Sequence, residues 1–297
     1  MIPIAIFIGG PTSSNKTKLA KLIQTEIPSF IVNADSMQVY NKLDILTNKP
    51  DSAEIIENDC NLFSFVEYPK ICSVGLWIKE VEELVKSNRK VPIIVGGTGL
   101  YFDSLMNDLS PIPKISRNVE VKVNKIHSKY GNEYLYERLK KIDRKYAEKI
   151  SSNDTQRIIR ATAVSCSTGK SMTQWHMTKK NQKIKKLIYV IIKTERNILY
   201  ENINDRCKKM IKLGVLEEIS SFLKIKSKTN HPLHKSIGLR PLEQHIRGLI
   251  SLDESMKIFM QETRRYAKRQ ITWFNNKAMI AKHLDFEDAK NYILNNI

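Results

Sequence analysis

Residues Gly10 to Ala20 read GPTSSNKTKLA and follow the apolar run Ile2 to Gly9. An apolar run, a tight turn and Lys16-Thr17 opening a helical pattern form the setting of a phosphate loop, GxxxxGK(S/T). Gly10, Pro11, Thr12, Ser13, Ser14 and Asn15 would form the cradle, in which backbone N–H groups and a helix N-terminus hold a diphosphate. Lys16 would neutralise the anion, and Thr17 would bind Mg²⁺ or a phosphate oxygen. Asn15 stands where the motif has its second glycine. Asn is the non-glycine residue that best tolerates left-handed backbone, at a cost of about 1–2 kcal/mol. A strand-to-helix turn in which GPT and KT occur by chance stays open.

Phosphate loops mostly serve nucleotide hydrolysis or phosphoryl transfer, and such sites want a carboxylate on Mg²⁺ at the end of a second apolar strand. VPIIVGGT, the best-formed candidate strand, ends in Gly96-Gly97-Thr98 without an acid, whereas SFIVNADSMQVY supplies Asp35. Asp35 is then the metal acid of a nucleotide kinase, a group with another task, or a cap for the next helix.

These residues need a frame. IPIAIFI, SFIVNAD and VPIIVGG are buried strands, and helical patterns from about Lys16 and over Val74 to Ser87 lie between them, which implies a parallel sheet covered on both faces. After LSPIPKIS the pattern turns helical, with Leu135, Leu139, Ile142 and Tyr146 at helical spacing and Gly131 as a break. LIYVIIK at Leu187 returns to a strand, and the rest reads as helices, ending with one over Asp253 to Phe274. On that last helix Met256, Phe259, Met260 and Ile271 would line one side and Arg264, Arg265, Lys268 and Arg269 the others. The expected architecture is an α/β core with a parallel sheet of the phosphate-loop NTPase kind, made of residues 1–113 and 184–297, with an all-helical insertion at 114–183.

The chain has 297 residues and a formal charge of +18. Residues 1–113 hold 10 Lys and Arg against 13 Asp and Glu, whereas residues 114–297 hold 39 against 18. So uneven a distribution suits a polyanionic partner, although lysine enrichment of the whole sequence would also produce basic surface. No run approaches the roughly 20 apolar residues of a membrane span, and MIPIAIFIGG has no basic leader, so a cytoplasmic protein is expected. Cys60, Cys72, Cys166 and Cys207 lack CxxC pairing and are expected as buried thiols. His231 and His234 form an HxxH beside Pro232, a poor setting for a metal.

Seven blocks lie in order between Gly10 and Phe274: GPTSSNKTKLA, NADSMQVYNKLDILTNKP, PIIVGGTGLYFDSLMNDLSPIP, DTQRIIRATAVSCSTGKSM, NDRCKKMIKLGVLEEI, HKSIGLRPLEQHIRG and TRRYAKRQITWF. In order and spacing this set resembles the tRNA dimethylallyltransferases, also called tRNA isopentenyltransferases. The resemblance implies transfer of a dimethylallyl group from dimethylallyl diphosphate to N6 of adenosine 37, in the anticodon stem-loop of tRNAs reading codons that begin with U. It implies a phosphate-loop kinase-like fold with a helical insertion contacting tRNA, and Mg²⁺ as cofactor; a monomer is expected. The loop would then hold a departing diphosphate. By the same resemblance Asp35 is the general base, Arg206 is directed at the diphosphate, and Thr98 helps place the adenosine, with Gly96 and Gly97 letting substrate approach the strand end. Asp35, Ser36, Met37 and Gln38 correspond to a tRNA-contacting segment. So do Gln156, Arg157, Ile158, Ile159 and Arg160, and Lys235, Ser236, Ile237, Gly238, Leu239 and Arg240. An adenine inside a stacked loop cannot reach such a pocket, so it would be flipped out.

Departures from the family pattern are Asn15, Leu46 in LTNKP where glycine is usual, CNLFSF in place of a His-His-Leu-type stretch, and Leu239 and Pro241 in SIGLRP. Two other classes fit parts of the chain. A kinase would turn over ATP and ignore RNA, and a catalytically silent tRNA-binding protein is what Asn15 would suggest.

Overall fold

The computed structural model describes residues 1–178, 183–225 and 231–297. In chain order the first unit opens with β1 (Ile2–Gly9), α1 (Lys16–Glu26), β2 (Ser29–Asn33), α2 (Ser52–Glu57), β3 (Cys60–Asn61), α3 (Val74–Ser87), β4 (Val91–Gly96) and α4 (Gly99–Asn107). A second unit holds α5 (Arg117–Ile142), α6 (Arg144–Ala147), α7 (Thr155–Thr168) and α8 (Met172–His176). The first unit resumes with β5 (Ile184–Ile192), α9 (Arg196–Lys212), α10 (Val215–Leu223), a 3-10 turn at Pro232–Lys235, α11 (Leu239–Ile246), α12 (Leu252–Lys277), β6 (Lys282–Leu284) and α13 (Phe286–Leu294).

The sheet has six strands in the order β3-β2-β4-β1-β5-β6, every neighbouring pair parallel. Successive residues of β1 serve opposite faces. Ala5 and Phe7 join one core with Phe30, Val32, Ile94 and residues of α3, α4, α9 and α12. Ile6 and Ile8 join the other with Ile31, Ile93, Val190 and residues of α1 and α13. Burial on both faces is why these strands read as continuous apolar runs. Two strands depart from expectation: β3 has two residues and β6 three, too short to carry a pattern, and β6 stands where only helices were expected.

Parallel pairing also aligns the strand ends. Gly9 is opposite Gly96 and Asn33 opposite Val95, so the segments leaving β1, β2 and β4 emerge along one edge. In open parallel sheets this carboxyl edge is where ligands bind.

The two compact units are Met1–Asn107 with Gln182–Ile297, and Asp108–Asn181. The second starts ahead of the expected boundary at 114, because Ile115 is buried in its core and Ile112 packs on it. Its expected end at 183 adjoins residues 179–182, which are outside the described residues. Within this unit α5 is broken at Gly131 (φ 79°, ψ −179°), as its sequence suggested, and Val123, Leu135, Leu139, Ile158, Ala161 and Val164 form its core. Among the described residues no helix is long and apolar enough to cross a membrane. All four cysteines are free; Cys60 and Cys207 are buried, but Cys166 is exposed, contrary to the expectation of buried thiols.

Candidate active site

The turn after β1 carries the first functional group. Gly10 takes φ 151°, and a Cβ there would stand 3.0 Å from Ser14 Oγ and 3.2 Å from the Ile192 carbonyl oxygen. Asn15 takes φ 63°, ψ 22°, the left-handed conformation a glycine would supply, and caps α1 with no side-chain hydrogen bond. The first-turn amides of α1 are thus left for a ligand, and the helix dipole favours an anion there. Because the backbone already sits where glycine is at ease, Asn15→Gly is expected to preserve or raise catalytic activity. Single-turnover rates of the two proteins check this, and a large loss would assign the Asn15 side chain a role of its own.

Lys16 extends back over the loop. Its Nζ donates to the Pro11 carbonyl at 2.6 Å and lies 3.5 Å from Ser14 Oγ. Burial lowers its pKa to about 7; Asp35 acts to raise it and Arg206 to lower it further. Arg206, on α9, donates from Nη1 to Thr12 Oγ1 at 2.5 Å, and its buried Nε has no partner. A lysine whose pKa burial lowers, beside a desolvated guanidinium, makes a site in which an anion would offset the cost of burying both cations.

Asp35 leaves β2 through a turn built by Asn33. The Asn33 side chain accepts from the Asp35 amide at 2.9 Å and donates to the carbonyls of Asp35 (3.2 Å) and Leu62 (3.1 Å). Asp35 Oδ1 accepts from the Met37 amide at 2.9 Å, so the carboxylate does cap a turn. It does more. Burial raises its pKa, against the pull of the Met37 amide, Lys16, Arg206 and the Gln38 amide. A carboxylate whose pKa is raised by burial, facing cations across a cavity, is poised as a base.

These groups share one cavity of about 680 Å³, lined by the loop from Thr12 to Lys18, Asp35 to Gln38, Arg206, Lys235 to Ile237, and Thr263, Tyr266, Arg269 and Gln270 of α12. Every lining residue belongs to the first unit. Among the described residues no group of three or more His, Cys, Asp or Glu could hold a metal, and Asp35 and Asp205 are the acids on the cavity. His231 is structural: its ring lies 4.7 Å from those of Tyr40 and Tyr68, and its Nδ1 accepts from the Leu233 amide.

Residues 38–277 match the model of the family described as IPP transferase. The chain belongs to the IPP transferase family. A tRNA dimethylallyltransferase from Pelagibacter ubique is 41% identical over 273 residues, covering 90% of this chain and 87% of the relative. The crystal structure of the full-length tRNA isopentenylpyrophosphate transferase of Bacillus halodurans, 26% identical, matches with a TM-score of 0.70 over 100% of this chain and 97% of its own. A eukaryotic dimethylallyltransferase acting on tRNA, 23% identical, matches with a TM-score of 0.82 over 96% of this chain and 74% of its own, a likeness of fold alone.

Against the family pattern the structure sorts the expected residues. Thr98 does not line the cavity. Its Oγ1 accepts from the Ser36 amide at 3.0 Å and lies 3.3 Å from Ser36 Oγ, so it braces the Asp35-Ser36 turn from behind. Gly96 and Gly97 line the cavity, and each also makes room for protein atoms: a Cβ on Gly96 would meet the Ala34 carbonyl oxygen at 2.1 Å, and one on Gly97 would meet Gln270 Nε2 at 2.0 Å. Lys235 and Arg240 are exposed, and Ser236 and Ile237 line the cavity, but Leu239 is 2% exposed and packs in the core, which removes it as an RNA contact. In the second unit Gln156, Arg157 and Arg160 are exposed on α7 and Ile159 is half-buried, whereas Ile158 is buried in the helical core and offers no contact surface.

On α12 the buried stripe is Ser255, Phe259, Thr263, Ala267, Gln270 and Phe274, while Ile271, expected with the apolar side, is exposed. Three members of the stripe, Ser255, Thr263 and Gln270, are polar, which is why apolar residues alone misplaced its phase. Sequence reading also missed Asn33, Tyr266 and Gln270. The only available signal was position, one strand end and one helix rich in Arg.

Proposed function

We propose that this chain transfers a dimethylallyl group from dimethylallyl diphosphate to N6 of adenosine 37 in tRNAs reading codons that begin with U, giving N6-isopentenyladenosine and diphosphate. The observation that carries the reading is the meeting of the phosphate loop and the Asp35 carboxylate on one cavity. Family membership gives the substrate class: the relatives are named for prenyl transfer to tRNA. The reaction is assigned to a cytoplasmic monomer.

The adenine N6 attacks C1 of the allylic group, the C1–O bond breaks, and the diphosphate leaves with the bonding electron pair. Lys16, Arg206 and the first-turn amides of α1 face the charge that develops on that leaving group, the kind of preorganised field that accelerates such a step. The N6 proton passes to Asp35, whose carboxylate burial makes a stronger base than an ordinary aspartate. Thr98 and Asn33 hold the turn that presents this carboxylate.

Mg²⁺ fits the donor set. Thr17 lines the cavity at the first turn of α1, and Mg²⁺ is commonly held by one or two side chains together with substrate phosphates, not by a protein cage. When bound with the diphosphate it supplies countercharge to the leaving group. Thr17 would hold it, with Asp35 and Asp205 the acids in the lining.

The anticodon stem-loop is assigned to exposed cations of each unit, Lys235, Arg240, Arg265 and Lys268 in the first and Arg157 and Arg160 in the second. Binding of tRNA is therefore expected to weaken at least about tenfold between about 50 and about 200 mM salt. Filter binding reads this, and a flat response would mean that the lysines serve no phosphate contacts.

Labelled dimethylallyl diphosphate and unmodified tRNA, incubated with the protein and Mg²⁺, test the assignment. Label on adenosine 37 is expected, with no ATP turnover in a parallel assay. ATP turnover without labelled RNA would transfer the loop to the kinase reading, which the site's geometry resembles in its loop alone.

A further inference from the structure

We infer that Gln270 is a positioning residue: from α12 it fixes the orientation of the Pro11–Thr12 peptide and thereby the shape of the diphosphate loop. The inference takes from the proposed function only that the loop binds a diphosphate. Gln270 is 5% exposed, and both ends of its amide are used. Oε1 accepts from the Thr12 N–H at 2.8 Å, and Nε2 donates to the Gly97 carbonyl at 3.0 Å. One side chain thus ties together the segments leaving β1 and β4.

The peptide it grips is also held from its other side. The Pro11 carbonyl accepts from Lys16 Nζ at 2.6 Å and from Ser14 Oγ at 2.8 Å. A peptide unit is planar, with its C=O and N–H pointing in opposite directions, so fixing the Thr12 N–H also fixes the direction of the Pro11 oxygen on which Lys16 rests. Pro11 has no N–H of its own, which makes the Thr12 amide the first donor after Gly10 by which the loop can be anchored. The glycine at 97 belongs to the same device, because any Cβ there would occupy the place of the Gln270 amide. Without the Gln270 amide the peptide is held only through its Pro11 oxygen, by the Ser14 hydroxyl and by Lys16 itself, and the acceptor on which Lys16 rests is less firmly oriented.

The test uses inorganic pyrophosphate as the probe, titrated calorimetrically into wild type, Gln270→Met and Gln270→Glu, with amide hydrogen exchange read at Thr12. Met keeps the volume and removes both hydrogen bonds; Glu keeps an oxygen for the Thr12 N–H. We expect Gln270→Met to bind pyrophosphate about tenfold more weakly and to lose protection at Thr12, with tRNA affinity within about twofold of wild type. Gln270→Glu should keep the Thr12 protection. Equal pyrophosphate affinity in wild type and Gln270→Met, or unchanged exchange at Thr12, would overturn the inference. So would loss of protection throughout β1 and α12 in both variants, since Gln270 would then be holding the fold and not the loop. A wild type that binds pyrophosphate but transfers no prenyl group defeats the proposed function and leaves this inference standing.

Discussion

Asp35→Asn lowers the rate of the chemical step by about 10²–10⁴-fold while both substrates still bind. Asn is the informative replacement because it keeps an oxygen to accept the Met37 amide and so preserves the turn that Asp35 caps. What it removes is the basicity of one atom. The exocyclic amine of adenine is a weak nucleophile whose lone pair is drawn into the ring, so loss of its proton must accompany or closely follow C–N bond formation. Burial is the leading influence on the Asp35 pKa and raises it, with the Met37 amide, Lys16, Arg206 and the Gln38 amide opposing. The acid limb of kcat/KM should accordingly lie above the usual aspartate range and vanish in Asp35→Asn. Single-turnover rates against pH measure both effects. A variant as fast as wild type would move the proton acceptor elsewhere.

Lys16→Ala should cost about 10²–10³-fold in kcat, the scale seen when one preorganised group facing a developing negative charge is removed. The pH dependence is the sharper signature. Burial brings the Lys16 pKa to about 7, Asp35 works against that shift, and Arg206 adds to it. The direction follows from the charge required: a diphosphate binds the protonated lysine, whose fraction falls as pH rises through about 7. The Lys16 titration should leave donor kcat/KM flat with pH below about 7 and make it decline above. Diphosphate binding above pH 7 should take up a proton, since the anion pulls the lysine pKa back towards its ordinary value. Calorimetry in buffers of different ionisation enthalpy counts that proton, and zero uptake together with a flat basic side would show Lys16 to be fully charged in the empty site.

Much of this site could be read from the sequence because its signals are local. GPTSSNKT lies between an apolar run and a helix, and even its irregular member behaves as side-chain chemistry requires, with Asn15 taking left-handed backbone. Asp35 is recognisable as the acid at a strand end. The buried strands are visible because both sheet faces are covered. What could not be read depends on neighbours remote in sequence. Gln270 finds Thr12 across 258 positions and Gly97 across 173, and no spacing rule connects them. The glycines at 96 and 97 looked like an opening for substrate and do line the cavity, but that they also make room for Ala34 and Gln270 could not be read from the sequence. Ile158 and Leu239 fall in segments expected at an RNA surface but turn inward, because a helix presents only some of its residues outward. Short strands such as β3 and β6 exist only because a neighbour's edge is there to pair with.

The central claim is that one cavity holds both the leaving diphosphate and the base for its acceptor. Nucleoside mass spectrometry of tRNA after a single turnover with dimethylallyl diphosphate tests it most directly. With wild type, adenosine 37 should gain one C₅H₈ unit; with Asp35→Asn under the same conditions it should stay almost wholly unmodified, although the donor is bound. Unmodified adenosine 37 with wild type, or equal modification by both proteins, would contradict the account.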